Sequence, residues 1–279
     1  MGVARVAGGG AAREAWVARE DQGMRGRIDL NCDLGEGLDD WVPGVPGPES
    51  VLLDAVTSAN VACGFHAGDE RIMTAVCRAA AARGVAVGAQ VSYRDREHFG
   101  RRFLDVPAGV LHADVAEQVA ALRRAAREAG TTVAYVKPHG ALYNAVVTHE
   151  QQAAAVVDAV VASGGDLPVV GLPGAVVLDV ARDRGLRAVT EAFADRGYRA
   201  DGTLVPRSEE GALVVDAAAV VARVLDMVVR GHVVAVDGTV VAVEAESVCV
   251  HSDTPGATVL AAAVREALAG AGVVVQPFV

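Results

Sequence analysis

Lys137, in the segment YVKPHGALYN, is the only lysine of a chain whose other 24 basic side chains are arginine. Where charge alone suffices this sequence uses arginine, so a single retained amine points to a compact or titratable cation. His139 follows two residues later, and on a strand the two side chains share a face. His66, in NVACGFHAGD, occupies a similar Gly-flanked turn, and two histidines at equivalent strand ends favour a shared site. Asp33 and Glu36, in IDLNCDLGEG, and Asp69 add carboxylates to the same rim. Buried carboxylates need cations or donors, and Lys137 is the counter-charge expected for Asp33 or Glu36. Acids, imidazoles and one amine together suit general acid–base chemistry with stabilisation of developing negative charge. Asp33, His66 and His139 also form a set able to bind a divalent metal, although no spacing demands it.

A second group of residues suits binding. Asn31 and Asn60 can orient an amide or carbonyl, or simply satisfy a strand-end turn. Glu191, Asp195 and Arg196 stand together in EAFADRGY. Arg196 offers a planar fork for a carboxylate, or pairs with Asp195 or Asp201. His251 and Asp253 lie two apart in VHSDTP, where Asp253 or Thr254 can instead cap a helix. The remaining histidines, His98, His112, His149 and His232, read as surface residues.

These residues need strand ends to hold them. Ile28, Leu30, Cys32 and Leu34 alternate with Asp29, Asn31 and Asp33, a period of two that reads as a strand with one apolar and one polar face. It breaks at Gly35-Glu36-Gly37. Further strands are predicted near 56–64, 85–93, 131–137, 167–172, 186–193 and 247–251, with helices between them. Asp237-Gly238 marks a hairpin inserted over 232–243. Strands alternating with helices imply parallel βαβ units. The fold class is therefore α/β, a (β/α) barrel-like domain over 28–279 with its polar clusters at the C-terminal strand ends. The runner-up is an open doubly wound sheet. Residues 1–27 read as a poorly ordered extension, with translation starting near Met24.

Composition narrows the function. Hydrophobic residues make up 52% of the chain but aromatics only 4%, so the core must be built from Ala, Val and Leu. A net charge of -10 argues against nucleic acid and against an anionic membrane as partners. The four cysteines are scattered with no CxxC pair, as expected of reduced, buried thiols in a cytoplasmic protein. No segment has the length and apolarity of a membrane-spanning helix. A GxxxxGK[ST] phosphate loop, a GxSxG elbow and an HExxH helix are all missing from the sequence.

The motifs IDLNCDLGEG, TSANVACGFHAGD, YVKPHGALYN, EAFADRGY, DGTLVPRSEEGA and VCVHSDTP, in this order, resemble the LamB/YcsF family, the A subunits of 5-oxoprolinase. The resemblance runs from about Arg27 to the C-terminus. It implies a distorted barrel related to the glycoside hydrolase/deacetylase group, and ATP-dependent opening of 5-oxoproline to glutamate with two partner subunits, B and C. Asp33, Glu36, His66, Asp69, Lys137 and His139 are then the expected catalytic residues. Asn31, Asn60, Gln90, Tyr143, Asn144, Glu191, Asp195, Arg196, His251 and Asp253 are the expected binding residues. ATP would be shared with the partners, whose contribution fits the missing phosphate loop. The third strand end reads GAQVSYRD where the family usually has GAHPSYPD, so Gln90 stands for a histidine and Val91 for a proline. Ser252 stands where glycine is usual. The alternatives are a metal-dependent amide or N-acetyl deacetylase on the same barrel, and a non-catalytic ligand-binding subunit.

Overall fold

The structure, a computed structural model, describes residues 26–279 with the exception of Pro43. The extension expected at the N-terminus lies outside the described residues up to position 25, whereas Arg27 already belongs to a strand. Seven parallel strands close into a barrel: β1 (Arg27–Leu34), β2 (Ser58–Ala62), β3 (Ala86–Val91), β4 (Val133–Pro138), β5 (Val169–Gly171), β6 (Ala188–Phe193) and, after the antiparallel hairpin β7 (His232–Val234)/β8 (Val240–Ala242), β9 (Ser247–Val250). Closure is made by β1, which pairs with β2 on one side and β9 on the other. A closed ring leaves no sheet edge between those strands, which removes the doubly wound alternative. A two-residue strand, β10 (Val274–Val275), adds to the start of β1 and has no counterpart in the sequence reading.

The alternation in β1 acquires an unexpected meaning. Both of its faces are buried, with Asp29, Asn31 and Asp33 no more than 3% exposed. The apolar set, Leu30, Cys32 and Leu34, packs outward into the main core, which includes Val264 and Leu268 of the last helix. The polar set lines the barrel lumen. Register carries the same pattern round the ring: Asp33 lies opposite Asn60, Gln90 opposite Lys137, and Glu191 opposite Ser247. Much of the lumen is therefore polar and its groups must satisfy one another, while Val170 and Val189 pack against Tyr135 as a small separate apolar cluster. Gly88 makes room for this arrangement. A Cβ there would lie 2.1 Å from the Tyr135 ring, which crosses the lumen to donate to Asn60.

The surrounding helices follow from apolar spacing. In Ala108–Glu128, Leu111, Val115, Val119 and Leu122 recur on one face and are fully buried. The helix Ala217–Leu225 continues as a π turn, Asp226–Arg230, and ends at Gly231 in the left-handed region with φ 71°.

Candidate functional site

At the base of the lumen, Asp29 accepts hydrogen bonds from Thr57 (2.7 Å), Ser58 (2.6 Å) and Ser247. Burial pushes its carboxyl up to about 6 despite these donors.

One layer higher sits Lys137, only 2% exposed. Its Nζ lies 2.7 Å from Glu191, 3.4 Å from Asp33, 3.2 Å from the Asn31 carbonyl oxygen and 3.3 Å from Cys249 Sγ. Burial lowers the amine's pKa, but Asp33 and Glu191 outweigh it and hold Lys137 well above its ordinary value. It is an ammonium. Two buried carboxyls thus share one cation. Against the pull of burial, Lys137 and the Asn60 amide hold Asp33 below the usual carboxylate value. At Glu191 burial prevails and the pKa rises. Asn31 ties the pair together by donating to Glu191 at 2.8 Å and accepting from Asn60 at 2.6 Å. The counter-charge expected for Glu36 is thereby corrected. Lys137 serves Asp33 and Glu191.

Glu36 instead faces the histidines. Its Oε1 lies 3.4 Å from His139 Nε2 and 3.6 Å from His66 Nε2, and it accepts from Gln90 at 3.0 Å. The two imidazoles are stacked, with centroids 4.0 Å apart, and Phe99 places its edge against both. Burial first, and His66 beside it second, hold His139 well below its ordinary pKa, so the ring is neutral near pH 7. Glu49 positions this corner. Fully buried, it accepts from the backbone N–H groups of Gly35 and Glu36 and from the Trp41 indole. The sequence reading missed Glu49 because it falls in a short helix after a Pro/Gly loop.

The metal set read from the sequence is also corrected. Glu36, not Asp33, joins His66 and His139, with ligand atoms within 4.8 Å of one another. Asp33 groups with Cys249 and His251. The ammonium of Lys137, 3.4 Å from Asp33 and 3.3 Å from Cys249, makes that second set hostile to a cation.

A cavity of about 360 Å³ opens above these layers, lined among others by Asp33, Lys137, His139, Tyr143, Phe193 and His251. On one wall His251 pairs through Nδ1 with Asp195 at 2.8 Å and stacks on Phe193. Asp195 also accepts from Thr254 and from the His251 backbone N–H. Against burial, His251 holds the Asp195 carboxyl down to about 2. At the mouth, Asp253 bridges Arg101 and Arg207, two lining residues that lie in loops and carried no sequence signal.

Several expected residues take other roles. Asp69 is exposed and caps the helix Glu70–Ala81 by accepting from the Ile72 N–H, so it does not join the site. Arg196 lines the cavity, yet its Nε and Nη2 are held by the Ala212 and Val205 carbonyls rather than by Asp195 or Asp201. Neither Asp253 nor Thr254 caps the last helix, whose N-cap is Gly256 with no side-chain bond. Asn144 sits on the cavity rim, donating to the Gly140 carbonyl. Gln90 and Asn60 serve Glu36 and Asp33 from inside the barrel and do not line the cavity.

With this geometry in place, comparison with known proteins is decisive. Residues 28–279 match the LamB/YcsF family profile. The chain belongs to the LamB/YcsF family. Relatives in this family include a protein named as the A subunit of 5-oxoprolinase from Streptomyces coelicolor, 59% identical over 251 residues, covering 90% of this chain and 99% of the relative. One of the same name from Mycobacterium avium is 58% identical, covering 90% of this chain and 98% of its own. Among solved structures, a lactam utilization protein from Thermus thermophilus superposes with a TM-score of 0.82 at 42% identity, covering 90% of this chain and all of that one. The family barrel is thus the one seen here. Among the described residues no helix is long and apolar enough to cross a membrane.

Proposed function

We propose that this chain is the A subunit of a 5-oxoprolinase, opening 5-oxoproline to L-glutamate with ATP and two partner subunits. One observation carries this function: a fixed ammonium and an aspartate-anchored imidazole face one small cavity, in a chain that matches relatives named as A subunits of 5-oxoprolinase over nearly their whole length.

A lactam is a resonance-stabilised amide, so its carbonyl carbon resists water. Phosphorylation of the carbonyl oxygen by ATP, releasing ADP, supplies the activation. Water then adds to the carbon and the ring C–N bond breaks, with the nitrogen taking up a proton. A second water releases phosphate from the resulting acyl phosphate. Asp195 fixes His251 with its Nδ1 occupied, which leaves Nε2 to take a proton from water and return it to the ring nitrogen. Lys137 supplies a preorganised positive charge at the cavity floor for the developing oxyanion. Arg207 and Arg101 at the mouth place positive charge where the carboxylate and phosphoryl groups would enter. The sequence contains no phosphate loop, consistent with partner subunits supplying most of the nucleotide site.

The test is a coupled assay with purified components. Glutamate and ADP should form in equal amounts when this chain, both partners, ATP and 5-oxoproline are present. Turnover by the chain alone, or none by the complete mixture, would contradict the proposal.

A further inference from the structure

The ring-opening scheme leaves the corner formed by Glu36, His66 and His139 without a task, and its polar groups are poorly satisfied. His66 is 1% exposed, yet neither ring nitrogen has a hydrogen-bond partner, and Nδ1 of His139 and Oε1 of Gln90 are equally bare. Leaving buried polar groups unpaired costs about 1–3 kcal/mol each, so this corner is built for something that satisfies them.

We propose that Glu36, His66 and His139 form a binding site for one divalent cation of the zinc class, with a remaining coordination position for water or substrate. Two imidazoles and a glutamate are an established ligand set for catalytic zinc, and two histidines with one carboxylate also suit other borderline metals. The contacts of Glu36 Oε1 with the two Nε2 atoms, 3.4 and 3.6 Å, are too long for charge-assisted hydrogen bonds. They are close to the edge of a tetrahedron around an ion with ~2.0–2.1 Å bonds, roughly 3.3–3.4 Å, and the stacked rings would turn for both Nε2 lone pairs to meet that ion. Of the bare atoms, an ion there would satisfy His66 Nε2.

The site is also held in place. Phe99, itself in the left-handed region at φ 55°, wedges against both rings with centroids 5.5 Å away. Gly100 packs so closely that a Cβ would lie 3.0 Å from His66 Cβ and 3.3 Å from His139 Nδ1. Glu49 fixes the turn that carries Glu36. The Gln90 amide gives Glu36 a partial positive charge, the part a cation would play more strongly. The site borders the proposed active cavity through His139, but its existence does not depend on ring opening.

The experiment uses the purified full chain, without partners or substrate. After treatment with a chelator and dialysis, the chain is titrated separately with Zn²⁺, Mn²⁺, Ni²⁺ and Co²⁺, and bound metal is counted by elemental analysis. The parent should retain about one equivalent of at least one of these ions, and saturating metal should raise its melting temperature. Co²⁺ should add visible absorption bands. Glu36→Gln and His66→Asn should weaken binding tenfold or more, removing both the bands and the thermal shift. Gln90→His adds an imidazole beside Glu36 and should alter the Co²⁺ spectrum even if the other variants fold poorly. Uptake below about a tenth of an equivalent for all four ions would overturn the proposal, because a three-ligand site should fill under these conditions. So would metal binding unchanged in folded Glu36→Gln, or a Co²⁺ spectrum indifferent to Gln90→His. None of these results bears on whether the complete mixture opens 5-oxoproline.

Discussion

Lys137 and Glu191 form a 2.7 Å ion pair inside the barrel, with neither side chain more than 3% exposed. Asp33 reaches the same ammonium at 3.4 Å and opens onto the cavity. The cation therefore has one side held by Glu191, which Asn31 supports, and another facing Asp33 and the cavity. Removing one partner of such a pair leaves a costly uncompensated charge, whereas replacing both together is often tolerated. That asymmetry separates a structural lysine from a catalytic one.

The Asp195–His251 pair should show its charge in both activity and stability. Asp195→Asn removes the carboxylate that orients His251, and turnover with partners present should fall by about 10²–10⁴-fold. The Asp195 pKa is about 2 in the folded state against an ordinary 3.8. A depressed folded pKa stabilises above the unfolded value and loses that stability as pH falls through the folded one. The parent should thus lose about 2 kcal/mol between pH 4 and pH 2 that Asp195→Asn does not lose. Parallel acid titrations followed by circular dichroism check this, and superimposable curves would refute it.

Asp29 behaves with the opposite sign. Burial raises its folded pKa to about 6 from 3.8, so its contribution is complete below the unfolded value and is lost as pH rises through 6. Raising the pH from 4 to 8 should shift the stability of Asp29→Asn relative to the parent by about 2 kcal/mol in the variant's favour. Denaturant melts of both proteins at the two pH values measure the shift. A difference independent of pH would show that Asp29 stays ionised throughout.

Much of this architecture was legible in the sequence. The period-two run in β1 and the Asp237-Gly238 turn are local signals, and both elements formed within a few residues of their expected bounds. Lys137, His139, His66, Glu36 and Asp33 also converge as expected, because parallel strands bring their C-terminal ends together. What failed was partner choice. Whether Lys137 meets Glu36 or Glu191 depends on register around a closed ring, which no local pattern encodes. Asp69 was misleading because an acid after Gly68 is as good a helix cap as a rim ligand. Arg101 and Arg207 escaped notice because they reach Asp253 from separate loops.

The cysteines provide a further check on burial. Cys32, Cys63, Cys77 and Cys249 are all free and buried, and burial pushes each thiol above its ordinary pKa, Cys77 to about 12. Thiolate is the reactive form, so the native protein should be nearly inert to a thiol reagent at pH 8. Four thiols should react after unfolding in denaturant without a reductant, matching the four cysteines of the chain. Fewer than four under those conditions would reveal a disulfide. Rapid native labelling would show that the lumen around Cys249 opens.

The catalytic standing of Lys137 is tested most directly by removing its charge together with that of its anchor. Lys137→Met combined with Glu191→Gln deletes the ion pair, and the new amide oxygen can still accept from Asn31, while Asp33 loses its cation but keeps the Asn60 amide, so the double variant should fold with a melting temperature below the parent's. Its turnover with both partners, ATP and 5-oxoproline should nevertheless fall by about two to three orders of magnitude, the usual consequence of losing one well-placed charge donor in the transition state. A folded double variant that retains near-parental turnover would contradict the account, because the solitary lysine would then be a counter-ion inside the barrel and nothing more.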